Sequence, residues 1–167
     1  MPHQSFPILD LLHQRVTTSQ ALFGLSVGFD IVQISQMEGS LRAFGETFTK
    51  RLFTPNELIY ANCDEGLFAE RLAARFAAKE AVIKALQLSE LGVDWRDIEV
   101  IKKSDGDCYL QLHGQVSRLA LSMGAMQWLL SMSHDGDYAG AVVMALGVTP
   151  NPQISELSTK VKYVGIH

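Results

Sequence analysis

Two hydrophobic periods alternate along the chain. Residues 27–34 (Val27-Gly28-Phe29-Asp30-Ile31-Val32-Gln33-Ile34) are β-branched and apolar except at Asp30 and Gln33, which predicts a strand buried on most of its surface. From Ser35 the period lengthens, and Met37, Leu41 and Phe44 recur at helical spacing. Thr54-Pro55-Asn56-Glu57 reads as a helix start, with Thr54 as N-cap, Pro55 in the first turn and Glu57 closing a capping box. The clearest helix is expected over 69–86, where Leu72, Phe76, Ile83 and Leu86 share one stripe. That segment has no Gly or Pro and many alanines, so intrinsic propensity agrees with the pattern. After Gly92, residues 97–101 and 108–112 alternate as strands across a polar Ser-Asp-Gly-Asp loop, the mark of a hairpin. Residues 115–123 read as a helix stopped by Gly124. Residues 128–133 and 138–145 read as two further strands joined by a tight turn, His134-Asp135-Gly136-Asp137. This order, βααα-ββ-α-ββ, predicts an α+β fold with a mainly antiparallel sheet and a long packed helix.

Composition narrows the class. With 167 residues, 47% apolar or aromatic and 19% charged, the chain is long enough for one domain with a real core and too apolar for disorder. The expected organisation is an N-terminal extension over 1–23, with a short amphipathic helix over 8–16, a domain over 24–147 and a tail over 148–167. The 14 basic residues are outnumbered by 18 acidic ones and form no dense cluster, which argues against nucleic-acid binding. Cys63 and Cys108 stand far apart without metal-type partners, so neither a zinc site nor a disulfide framework is expected. The longest uncharged stretches, 16–29 and 119–134, are too short for a membrane span, and no small-x-small cleavage site follows the first. A cytoplasmic protein with no membrane partner is the expectation.

Two carboxylates are out of place. Asp30 interrupts an apolar strand, where an unpaired carboxylate costs several kcal/mol or is driven neutral. Glu80 falls about 80° from Leu72 and about 40° from Phe76 on a ~100° helical wheel, at the border of the apolar stripe. Two readings stand side by side. Asp30 points outward from a half-exposed strand and Glu80 merely pairs with Lys84 four residues on; or both ligate one hard divalent cation, the usual donor set for Mg²⁺ with phosphate oxygens and water. Lys84 shares a strip with Glu80, and Arg71 and Arg75 form a second strip on the same helix, an arrangement suited to a phosphate ester. His134, beside a turn, carries no weight alone.

Together these segments resemble the holo-[acyl-carrier-protein] synthase family of 4′-phosphopantetheinyl transferases. The resemblance rests on Gly28-Phe29-Asp30-Ile31-Val32, Arg51-Leu52-Phe53-Thr54-Pro55-Asn56-Glu57, Arg75-Phe76-Ala77-Ala78-Lys79-Glu80-Ala81 with Lys84-Ala85-Leu86, Trp95-Arg96-Asp97-Ile98-Glu99-Val100 and Ser131-Met132-Ser133-His134. It implies a phosphopantetheinyl-transferase-like fold, a homotrimer with active sites between subunits, and transfer of the phosphopantetheine arm of coenzyme A to a serine of an apo acyl carrier protein, releasing adenosine 3′,5′-bisphosphate. Carried over by motif, Asp30 and Glu80 become Mg²⁺ ligands and Lys84 a catalytic contact to coenzyme A phosphate. Arg51, Arg75, Ser133 and His134 become coenzyme A contacts, with the Ser-His strand supplied by a neighbouring subunit. Glu80, or a metal-bound water that it orients, is the candidate proton acceptor.

The chain also departs from the resemblance. An arginine that docks the carrier's acidic helix is replaced by Gln36. The first helical region keeps Arg42, Lys50 and Arg51 interleaved with Glu38 and Glu46. A Gly-Thr-Gly after the long helix becomes Gln87-Leu88-Ser89-Glu90-Leu91-Gly92, and a Gly-Lys-Pro becomes Gly106-Asp107-Cys108. These changes suggest a carrier outside housekeeping lipid synthesis, from a polyketide, peptide or lipid pathway. The rival reading is a non-catalytic module that binds coenzyme A or a carrier, against which the retained Asp30, Glu80 and Lys84 argue.

Overall fold

A computed structural model describes residues 23–64 and 66–148. The helix expected over 8–16, with nearly all of the extension and tail, lies outside the described residues. Strand β1 (Phe23–Gln33) leads into helices α1 (Ile34–Leu52), α2 (Pro55–Ala61) and α3 (Phe68–Ala85). A 3₁₀ turn at Trp95–Asp97 precedes β2 (Ile98–Lys102) and β3 (Cys108–Leu112); α4 (Gly114–Ser122), β4 (Ala125–Asp135) and β5 (Tyr138–Val148) follow. The fold is α+β, with β1, β5 and β4 adjacent in one sheet and β2–β3 in a separate hairpin, every pairing antiparallel.

Helix α3 lies across the large sheet and is buried almost all round. Leu72, Ile83 and Leu86 sink into the core as their spacing predicts, while Ala73, Ala77, Ala78 and Ala81 bury the rest. Phe76 stacks on Trp95 with ring centroids 5.1 Å apart. The alanines let backbones approach, and on the sheet side Gly28 completes the fit: a β-carbon there would collide with the Ala81 carbonyl. This contact seats β1 against α3 and sets Asp30 beside the helix.

Three local features follow from their residues. Thr54 and Glu57 form the expected capping box at α2, with Pro55 in its first turn. The first helix is broken at Gly45, whose φ of 53° and ψ of −136° suit a residue without a β-carbon. The turn predicted over 134–137 is tighter than expected, because Asp135 already pairs with Tyr138 and only Gly136 and Asp137 remain as loop. Asp137 then accepts hydrogen bonds from the Ser35 amide and hydroxyl and from Gln33, tying that turn to the start of α1.

One expectation changes. β1 is not buried on most of its surface within a single chain: its even positions face α3, but Leu25, Val27, Phe29 and Ile31 are each more than half exposed. With Leu129 and Val142 they form an apolar face on the side of the sheet away from α3. Continuous hydrophobicity along a strand suits burial of both faces, and the described residues cover only one.

Candidate active site

Asp30, Glu80 and Lys84 meet where β1 crosses α3. Lys84 Nζ lies 2.7 Å from Asp30 Oδ1 and also donates to the Phe29 carbonyl at 3.3 Å. The Asp30 side chain is 15% exposed and faces the helix, so the outward-pointing reading fails. Lys84 bonds across to the strand rather than back to Glu80, so the simple helical pair fails as well. Burial and the neighbouring Asp30 charge push the Glu80 carboxyl above its ordinary range, against the pull of Lys84. The charge-assisted hydrogen bond that its ammonium donates to Asp30 raises Lys84 in turn.

These groups fit a divalent cation on their chemistry. Two carboxylates converge closely enough for one to destabilise ionisation of the other, and a lone ammonium offsets only part of that repulsion. Both are hard oxygen donors, as Mg²⁺ requires. No group of three or more His, Cys, Asp or Glu side chains suited to a metal occurs among the described residues, so remaining positions on an ion would fall to water and substrate.

The opposite flank of α3 borders a cavity of about 480 Å³, within the range of small-molecule sites. Arg71, Arg75, Tyr60, Lys102, Ser133 and His134 all line it. By the ~100° helical step, Arg71 lies opposite Glu80 and Arg75 opposite Lys84, so α3 stands as a wall between two clusters. Arg75 is only 3% exposed, and burial pushes its guanidinium below its ordinary value although Glu57 opposes the shift. Its Nη1 donates to the Arg71 carbonyl at 3.1 Å, whereas Nε and Nη2 are buried without a partner among the described residues. Unused donors on a buried guanidinium are chemistry suited to an anion. His134 Nε2 sits 3.4 Å from Glu70 of the same chain at the rim. Arg51 is elsewhere: it is exposed at the end of α1 and does not line this cavity.

Between these flanks lies a charge network that sequence reading missed. Lys79 is fully buried, 2.8 Å from Glu57, and donates to the carbonyls of Trp95 and Ile98. Glu57 also accepts from the amides of Thr54 and Val100, at 2.9 and 3.0 Å. Burial alone would raise the adjacent Glu99 carboxyl, but hydrogen bonds from Thr54, His113 and Asn56 hold it below its ordinary range. In the sequence Glu57 reads as a cap and Lys79 carries no signal of its own, because its partners come from three other elements. Tyr60, Lys102 and Cys108 of the cavity were equally invisible, since packing of α2, α3 and the hairpin alone brings them together.

Comparison with known proteins adds the following. The sequence model described as the 4′-phosphopantetheinyl transferase superfamily matches residues 26–143. A holo-[acyl-carrier-protein] synthase of Gloeobacter violaceus is 40% identical over 121 residues, covering 72% of this chain and 92% of that protein. One from Salinispora arenicola is 41% identical over 121 residues, covering 72% and 97%. Among solved structures, an ACPS–coenzyme A complex of Chronobacterium ammoniagenes aligns at a TM-score of 0.66 and 37% identity, covering 75% of this chain and 98% of that one.

Proposed function

The chain belongs to the 4′-phosphopantetheinyl transferase superfamily, and from that premise we infer how its residues carry out the reaction. It is a holo-[acyl-carrier-protein] synthase that moves phosphopantetheine from coenzyme A to a serine of an apo acyl carrier protein. The observation that carries the assignment of its residues is the convergence of Asp30, Glu80 and Lys84 on one flank of α3.

In this reading the serine oxygen bonds to the phosphorus of the pantetheine phosphate as the bond to the adenosine bisphosphate breaks. Lys84, an ammonium at the cluster, offsets the negative charge that repels the incoming oxygen. Glu80 accepts the serine proton on its carboxylate. Asp30 and Glu80 would hold Mg²⁺, whose chemistry is to neutralise diphosphate oxygens and the departing bisphosphate. Arg75, with its unpartnered donors, together with Ser133 and His134, receives the nucleotide end.

Because α3 separates the two clusters within a chain, a substrate reaching both is best served when a second copy brings its cavity to the first copy's carboxylates. The apolar sheet face supports such an assembly, since contiguous exposed apolar surface of this kind marks an interface. A homotrimer is the assembly proposed, with Ser133 and His134 supplied by the neighbour. The two free cysteines and the coenzyme A substrate suit a cytoplasmic setting.

The carrier proposed is one outside housekeeping lipid synthesis. Beyond Gln36, two cations of α1 are already occupied: Arg42 pairs with Glu38 and Lys50 with Glu46. Only Arg51 on that helix is left without a carboxylate partner among the described residues, which weakens steering of an acidic partner. Rates on a housekeeping fatty-acid carrier and on a polyketide or peptide carrier test this, and a clear preference for the housekeeping protein removes it. The activity itself is tested by weighing apo carrier after incubation with enzyme, coenzyme A and Mg²⁺. A gain of one phosphopantetheine, abolished by a chelator, is expected; transfer undiminished by the chelator contradicts the metal assignment.

A further inference from the structure

Tyr60 lies at the centre of the cavity's positive charge. The Arg75 guanidinium carbon is 4.2 Å from the ring centroid, that of Arg71 4.7 Å and the Lys102 ammonium 6.0 Å. Arg71 also donates to the Tyr60 carbonyl at 3.0 Å. Two of these cations come from α3 and the third from β2, so no single element holds them together. Like charges gathered in this way repel one another. An aromatic face offsets the repulsion by ~0.5–1 kcal/mol per exposed cation, and by more for a desolvated one such as Arg75. Carboxylates lie nearby, since Asp64 pairs with Arg71, Glu70 sits beside His134, Asp107 lines the cavity and the Glu57 charge acts on Arg75, but among the described residues none pairs directly with Arg75 or Lys102. Arg75 still keeps two buried donors without partners among the described residues. A compact group of cations with unused guanidinium donors is chemistry for a phosphate monoester, which carries up to two charges and several acceptor oxygens.

We propose that Tyr60 is a positioning residue that holds Arg71, Arg75 and Lys102 as one phosphate-monoester receptor, through which the enzyme distinguishes coenzyme A from its 3′-dephospho form. This rests on the placement of the nucleotide end in the cavity. The ring acts on binding and not on the reacting phosphorus, because α3 separates it from Asp30, Glu80 and Lys84.

Steady-state kinetics with coenzyme A and 3′-dephospho-coenzyme A provide the test, on wild type, Tyr60→Phe and Tyr60→Leu. Tyr60→Phe keeps the ring and is expected to retain the preference for coenzyme A that Tyr60→Leu loses. Tyr60→Leu is expected to raise KM for coenzyme A about tenfold at little cost in kcat, while KM for the dephospho substrate stays unchanged. Fluorinated phenylalanines at position 60 weaken the ring face without changing its shape, so a graded rise in KM with fluorination is expected even where Tyr60→Leu fails to fold. Equal loss on both substrates, a change confined to kcat, or indifference to fluorination in an enzyme that still prefers coenzyme A would overturn the role of Tyr60 alone. A wild-type enzyme indifferent to the 3′-phosphate would overturn the placement of the nucleotide as well.

Discussion

Lys79 and Glu80 are neighbours on α3, yet the fold treats their charges in opposite ways. The Lys79 ammonium directs its donors to Glu57 and two carbonyls, and the Glu57 carboxylate is bonded by two amides besides. That pair is dry and fully matched. Glu80, a step round the helix, is half-buried against Asp30, with a charge that burial and its neighbour both disfavour. A matched buried charge organises structure, whereas a mismatched one beside a cleft is a candidate for chemistry.

The contrast is broken most severely at Lys79. Lys79→Met leaves Glu57 buried without its counter-charge and is expected to cost about 3–5 kcal/mol, read as a lower urea midpoint. A loss below about 1 kcal/mol would mean that the network is not the brace between α2, α3 and β2 described above. Arg75 tests the opposite flank. Arg75→Gln removes a charge that burial already disfavours, so the fold is expected to hold while KM for coenzyme A rises about 10- to 100-fold. An unchanged KM would separate the cavity from the substrate.

The smallest effect concerns pH. A carboxyl raised on folding contributes stability that is present below its unfolded value and lost as pH rises through its folded value. Glu80→Gln lacks that loss. Without added divalent cation, its melting temperature is expected to exceed wild type by about 1–3 °C at neutral pH, a modest gain because Glu80 is partly solvated. The gap should close as the pH falls through about 4.5, the ordinary carboxylate range. A variant less stable than wild type at neutral pH would show that Glu80 is a structural charge like its neighbour.

Much of this contrast was legible in the sequence, but only on one side. Asp30 was conspicuous because it breaks an apolar strand, and Glu80 because it sits at the edge of a helical stripe. Both signals are periodicities within one element. The Lys84–Asp30 pairing, the burial of Arg75 and the Lys79 network depend on contacts between elements 16 to more than 50 residues apart, which periodicity does not encode. The uncovered sheet face was hidden for a related reason. A strand apolar on both faces reads the same whether its second cover is the same chain or another.

The most direct test of the paired carboxylates is a single-turnover transfer assay on Asp30→Asn and Glu80→Gln, with enzyme in excess over apo carrier and coenzyme A saturating. Both variants keep the shape of the site and are expected to fold, yet to transfer at least about 10³-fold more slowly than wild type across the Mg²⁺ titration. Folded variants that load the carrier at the wild-type rate would contradict the assignment outright.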